Sequence, residues 1–322
     1  MPPASYAADW VRAGMNTNQP VWGVRGGLLW AVAPGGFRAN SEPRGLIRLG
    51  YPILTNGGYD LVNFIAVEPV VRGRKGFSEL ERSHLDGIQG KRFWAVGDTN
   101  AESSALIPGT LRRLPSGAEQ LEVSLAVEPF ENGAIVRLVI SQCSDAPDEI
   151  QLTVHAETNS AEMEYCILTA TMGNLARARQ LWLADETINC LELYAEHRGT
   201  DFAPHSYFAR DRLARTLAGN LLVAVTTDET NPATVFPFPG SRLWHYGGFN
   251  VTQYWKKPRA TARDDLHAAV NARYTYWRSR RPIPGGVSFE NFELRERFYD
   301  GQSFSFGLTR RTPAELGLGG SP

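Results

Sequence analysis

Cysteine is scarce in this chain of 322 residues: only Cys143, Cys166 and Cys190 are present. An odd number with no C-x-x-C pair excludes a closed disulfide framework and a zinc ribbon, and leaves buried free thiols as the expectation. Charge of either sign in excess is also missing, with 33 Lys and Arg against 34 Asp and Glu. A net charge of −1 gives no electrostatic case for nucleic acid or an anionic membrane as a partner. No apolar run approaches the ~18 residues of a membrane-spanning helix. The opening "MPPASYAADWVRAG" lacks the basic start and apolar stretch of a signal peptide, so the compartment stays open. There is no Walker loop, dinucleotide fingerprint or nucleophile elbow, which removes the commonest nucleotide and serine-esterase chemistries. The histidines, at 84, 155, 197, 205, 245 and 267, show neither H-E-x-x-H nor H-x-H spacing. Neither a metal nor another cofactor is therefore expected.

What the chain does have is a hydrophobic fraction of 43% and an aromatic fraction of 11%, enough for a sizeable core. From Pro20 to Ile167, short apolar or alternating runs are punctuated by Gly, Pro and Asn, the pattern of many strands. "GLLWAVA", "YDLVNFIAVE", "QLEVSLAVE", "AIVRLVIS" and "IQLTVHAET" are the clearest, and "NLLVAVTTDE" and the run Gly285–Thr309 add more. Tyr59 to Glu68 is apolar on both alternating faces, which predicts a strand covered on both sides. In "QSFSFGL", Phe304, Phe306 and Leu308 point one way. "MGNLARARQLWLADE" and "SYFARDRLARTLAG" have spacings compatible with short helices, though Arg-rich strands give the same letters.

Strands flanking a short, helix-compatible middle, with no βαβ alternation, predict an all-β protein: an antiparallel sandwich or supersandwich with a few short helices. The expected organisation is an N-terminal extension (1–19), one large sandwich domain (20–312) and a frayed tail (313–322). In length and strand density the chain resembles the supersandwich of the galactose-mutarotase-like group, which includes sugar epimerases and domains of glycoside hydrolases and polysaccharide lyases. The resemblance implies a carbohydrate ligand. The His-Pro-Tyr-Phe type of motif that mutarotases carry is absent, so no residue role transfers.

Ala-Val-Glu-Pro occurs twice, in "FIAVEPVV" (64–71) and "SLAVEPFE" (124–131). Proline cannot donate to a sheet ladder, so both copies read as strand ends. Glu128, followed by a polar Glu-Asn-Gly turn, is read as structural. Glu68 shares a face with Val62, Phe64 and Ala66 and leads into the ionisable loop 72–92, where burial would suit general-acid work.

That loop supplies Glu79 and His84 as further acid, base or contact candidates, with internal ion pairing as the alternative. "SRLWHYGGFNVTQYWKK" offers Trp244, His245, Tyr246, Gln253 and Trp255 for stacking against a sugar and bonding its hydroxyls, with core packing as the alternative for either tryptophan. "PGGVSFENFELRE" carries Glu290 and Glu293. On an uninterrupted strand, Glu290 would share a face with Phe292, and Asn291 with Glu293. His205, beside Tyr207 in "DFAPHSYF", completes the set. Between Lys256 and Arg297, ten basic residues face five acidic ones, which suits an anionic substrate.

Paired carboxylates from separate elements are what glycoside hydrolysis requires. The sequence therefore leads to a carbohydrate-active enzyme, a two-carboxylate glycoside hydrolase acting on an oligo- or polysaccharide. Two alternatives stay open: a lyase acting on a uronate-containing glycan, and a glycan-binding protein without catalysis.

Overall fold

A computed structural model describes residues 8–38, 44–52, 58–95, 106–171, 177–227, 251–275 and 280–318. Its strands are β1 (Trp10–Val11), β2 (Val21–Val24), β3 (Leu29–Val32), β4 (Leu46–Tyr51), β5 (Asp60–Val71), β6 (Arg74–Lys75) and β7 (Phe93–Ala95). Then come β8 (Thr110–Arg113), β9 (Glu119–Val127), β10 (Val136–Cys143), β11 (Glu149–Ala156), β12 (Tyr165–Thr171), β13 (Ala178–Trp182) and β14 (Thr187–Asn189). The last are β15 (Ser206–Ala209), β16 (Ala214–Arg215), β17 (Asn220–Thr227), β18 (Thr252–Pro258), β19 (His267–Arg273), β20 (Ser288–Arg295) and β21 (Gln302–Thr309).

The strands form two antiparallel sheets. One, of ten strands, runs β1-β2-β3-β4-β5-β12-β20-β19-β15, with β6 paired to β5. The other, of eleven, runs β14-β13-β17-β18-β21-β11-β10-β9-β7, with β8 and β16 on its margins. The only α-helix among the described residues is the single turn α1 (Cys190–Leu193), capped by Asn189.

Alternation explains which face each strand buries. Along β9 the odd residues Leu121, Val123, Leu125 and Val127 are buried and the even ones half-exposed, which is a strand with one wet face. β5 is central, between β4 and β12, and Val62, Ile65, Ala66 and Val67 are all essentially buried, so it is covered on both sides as expected. Ile65, Val67, Leu168 and Phe292 from the ten-stranded sheet join Leu125, Leu138, Leu152, Phe304 and Phe306 from the other in one core. Across it Asn63 donates to Gln253 at 2.6 Å, a polar pair that joins the sheets inside the core.

Both helix-compatible stretches are strands where described: β13 lies in the first, and β15 and β16 flank a short 3₁₀ turn in the second. Leu181, Phe208 and Leu213 face the core, and sheet pairing overrides the local arginine-rich propensity. The N-terminal stretch is not free either, since β1 pairs with β2. The tail folds back as far as Leu318, which is buried against Leu222 and Tyr254.

Candidate active site

Ile65, Val67 and Val71 of β5 enter the core, so Phe64, Ala66 and Glu68 lie on the sheet's opposite face. Val62, beside the irregularity in pairing with β4, joins the core instead of sharing that face. On β12, Cys166, Leu168 and Ala170 belong to the core, leaving Tyr165, Ile167 and Thr169 beside Glu68. On β20 the core takes Phe292 and Leu294, which leaves Asn291, Glu293 and Arg295 beside Thr169. The register pairs Ala66 with Thr169, and Ala269 with both Glu293 and Tyr207. Antiparallel pairing thus brings residues distant in sequence into one row.

The centre of that row is Thr169. Its hydroxyl oxygen lies 2.5 Å from Oε2 of Glu68 and 2.5 Å from Oε2 of Glu293. The two carboxyl oxygens are therefore at most about 5.0 Å apart, twice that contact. All three side chains are buried: Glu68 is 4% exposed, Thr169 2% and Glu293 0%. One hydroxyl has one proton and can donate to only one carboxylate. A proton on the second carboxyl would satisfy both contacts, with that carboxyl donating to the threonine oxygen.

Electrostatics identify which carboxyl that is. Burial pushes Glu68 up, Glu293 adds to the rise, and the Lys75 ammonium that contacts its Oε2 offsets this only in part. Burial also works to raise Glu293, but His205, Lys75 and Arg295 outweigh it and hold Glu293 below the ordinary carboxylate range. The directions of the two shifts favour the proton on Glu68 over Glu293, with the Thr169 hydroxyl in contact with both. Lys75 reaches the pair because Arg72 and Gly73, both at positive φ (49° and 71°), turn the chain tightly from β5 into β6.

Less buried side chains form a rim. His205 Nε2 lies 3.3 Å from Glu293 Oε1, but the two are not aligned as a hydrogen bond, and each lacks a hydrogen-bonding partner among the described residues. Tyr207, 56% exposed, stacks on His205 at 6.1 Å, meets His267 edge-on at 5.5 Å, and receives a hydrogen bond from Arg295 at 3.3 Å. Farther along β19, Arg273 lies 3.8 Å from Glu290 and over the ring of Phe202. Burial raises Glu290 to about 7 against the lowering pull of Arg273. Val270 and Ala272 oppose Phe292 and Phe289, so β20 carries an extra residue there, and Phe289 and Phe292 both enter the core. Asn291 and Glu293 keep the shared face expected of them.

Of the residues singled out from sequence, Glu68, Glu293 and His205 meet, and Glu290 sits along the same strand with Arg273. Glu79 and His84 serve the loop instead. Glu79 accepts through its carbonyl from Gln89, and the exposed His84 donates its backbone N–H to Glu128. Glu128 also accepts from the Ser83 hydroxyl at 3.2 Å and the Arg92 N–H at 3.1 Å, so the second Ala-Val-Glu-Pro carboxylate is a staple. Glu81 and Lys91 pair beneath the loop at 3.1 Å, and Arg44 pairs with Asp86 at 2.7 Å.

Two sugar-contact candidates are corrected. Trp255, 1% exposed, packs on Phe304 and Phe306 and donates to the Phe292 carbonyl at 2.8 Å, while Gln253 is the core partner of Asn63. Strand alternation aims both inward, into the core between the sheets. Trp244, His245 and Tyr246 lie outside the described residues. Sequence reading passed over Lys75, Thr169, Arg295 and Arg273, whose common face becomes apparent only once the strands are in register.

Two surface grooves lie elsewhere. One of about 420 Å³ is lined by Trp94, Pro129, Ile135 and Asn159, and its Glu157 is paired with Arg137. The other, of about 430 Å³, holds Asp264, fully exposed and paired with Arg210. Neither contains buried carboxyl groups in contact, as Glu68 and Glu293 are through Thr169. Among the described residues no three His, Cys, Asp or Glu side chains group to hold a metal ion, and no helix is long and apolar enough to cross a membrane. No family model matches the chain, and no curated protein matches it closely enough to supply a relative.

Proposed function

We propose that this protein is a glycoside hydrolase in which Glu68 is the general acid and Glu293 the nucleophile. The observation that carries the reading is the pair itself: two buried carboxyl groups, one hydroxyl between them, with environments that drive their proton affinities apart. Such divergence separates acid from base within a pair. A separation of at most about 5.0 Å is far short of the ~6.5–9.5 Å of inverting enzymes and nearer the ~5–5.5 Å of retaining ones.

Glu68 gives its proton to the glycosidic oxygen as Glu293 attacks the anomeric carbon, which releases the leaving sugar and forms a glycosyl ester on Glu293. Water then attacks the same carbon, Glu68 takes its proton, and Glu293 leaves as a carboxylate. Tyr207 offers an exposed ring for a sugar face, the role sequence reading gave to Trp255.

A second reading rests on the basic and aromatic rim. Lys75 or Arg295 would neutralise a uronate carboxylate while His205 or Tyr207 removes the neighbouring proton, giving elimination. Mass spectrometry of products from neutral and uronate-containing oligosaccharides separates the two. Fragments whose summed mass exceeds the substrate by one water are expected; fragments with no water gained would replace hydrolysis by elimination. Glu68→Gln and Glu293→Gln are each expected to lower kcat by at least ~10²-fold with the fold intact. Unchanged turnover in both would remove these residues from the reaction.

A further inference from the structure

The basic rim is larger than the carboxylate pair needs. Lys75, Arg273 and Arg295 are basic, whereas burial raises Glu68 and raises Glu290 to about 7. Arg273 is the least satisfied of them. It is 5% exposed, its Nε and one terminal nitrogen have no hydrogen-bonding partner among the described residues, and Glu290 at 3.8 Å is too far to serve. Arg295 Nε and His205 Nε2 are unpartnered in the same way. Buried N–H groups without acceptors are costly to a fold and are kept where a ligand supplies the acceptor. Phe202, 46% exposed, lies against the Arg273 guanidinium at 4.9 Å and adds an aromatic surface open to solvent.

We infer that the ligand is an acidic glycan, one of whose sugar carboxylates is taken by the guanidinium fork of Arg273 beside Phe202. Planar two-point pairing favours a carboxylate on arginine. Arg273 is four residues along β19 from Ala269, the neighbour of Glu293, a span of about 13 Å. The carboxylate therefore belongs to a sugar unit beside the one cleaved. This assignment rests on the hydrolase reading for its substrate, but it is tested by binding.

Glu68→Gln, a neutral stand-in for the protonated acid, is titrated calorimetrically with oligogalacturonate, oligoglucuronate and alginate oligomers, with their carboxyl-reduced counterparts, and with a sulfated neutral oligosaccharide. At least one acidic oligomer is expected to bind, and its reduced counterpart to bind at least ~10-fold more weakly, the loss of a charged two-point pair. Arg273→Lys and Phe202→Ala are each expected to weaken that binding several-fold. Phe202 is exposed enough that its variant tests the site even if the arginine variant misfolds. Equal binding of acidic and reduced oligomers, binding of the sulfated sugar alone, no binding of any acidic oligomer, or unchanged affinity in folded variants would each overturn the assignment. Cleavage of a neutral glycan, abolished by Glu293→Gln, would keep the hydrolase reading while this assignment fell. An acidic glycan bound but never cut by the unaltered protein would do the reverse.

Discussion

At the scale of single residues, the site depends on how burial and neighbouring charge act on identical carboxyl groups. The proposed hydrolysis needs Glu68 protonated and Glu293 ionised, so its pH–rate profile is expected to be bell-shaped. Its acid limb belongs to Glu293, held low, and its alkaline limb to Glu68, held high. Lys75 pulls Glu68 down, so Lys75→Met should move the alkaline limb to higher pH; a limb that stays in place would mean that another group sets it. Glu290 gives a separate test. Its folded pKa of about 7 lies above the ordinary value of 4.5, so the folded state holds a proton that the unfolded chain has lost. Stability is therefore highest below pH 4.5 for this group and falls as pH rises towards 7. Glu290→Gln should remove that fall, worth on the order of 1–3 kcal/mol, in denaturant melts at pH 5 and pH 8. Cys166 faces the core behind Glu68, and burial pushes its thiol well up, so alkylating reagents are expected to spare it in the native protein.

At the scale of elements, the repeated Ala-Val-Glu-Pro shows how far spacing reaches. Both copies end apolar runs, and proline accounts for that much. What separates them is what each glutamate meets. Glu68 faces strands that approach from 101 and 225 residues away, whereas Glu128 holds the backbone and Ser83 of the loop that precedes β7. Glu128→Gln should loosen 78–92 by about 1–3 kcal/mol, since the amide returns a donor where the Ser83 hydroxyl and two backbone N–H groups need acceptors. Hydrogen exchange would then quicken at His84 and Arg92 while β9 stays protected; uniform quickening would mean that Glu128 holds more than the loop. Most strands were legible in the sequence because alternation is local. β13 and β16 were ambiguous because arginines in and beside them mask the period, and sheet pairing settled them. The bulge in β20 left no mark in the letters.

At the scale of the whole molecule, the antiparallel sandwich was legible from strand density, and Glu68, Glu293 and His205 were singled out as types worth testing. The pairing of Glu68 with Glu293 was not legible, because contact across β5, β12 and β20 depends on register between segments far apart in the chain. Thr169 and Lys75 escaped notice for the same reason: neither residue type signals chemistry until it touches a carboxylate. The tryptophan of "QYW" misled because an aromatic beside polar letters looks the same whether the strand turns it outward or inward. As a core residue, Trp255 should cost about 3–5 kcal/mol on truncation to alanine. Glycan affinity in the fraction that stays folded should be unchanged, and a specific loss of affinity without loss of stability would return Trp255 to the site.

The central claim is that one proton is held unequally between Glu68 and Glu293 through Thr169. The most direct test is a carbon-13 NMR titration of the glutamate side-chain carboxyl resonances, assigned with Glu68→Gln and Glu293→Gln. The account predicts that Glu293 ionises below the ordinary range and Glu68 above it, and that Glu293→Gln lowers the Glu68 transition by removing its negative neighbour. Two carboxyl groups titrating together at ordinary values, each indifferent to loss of the other, would contradict it.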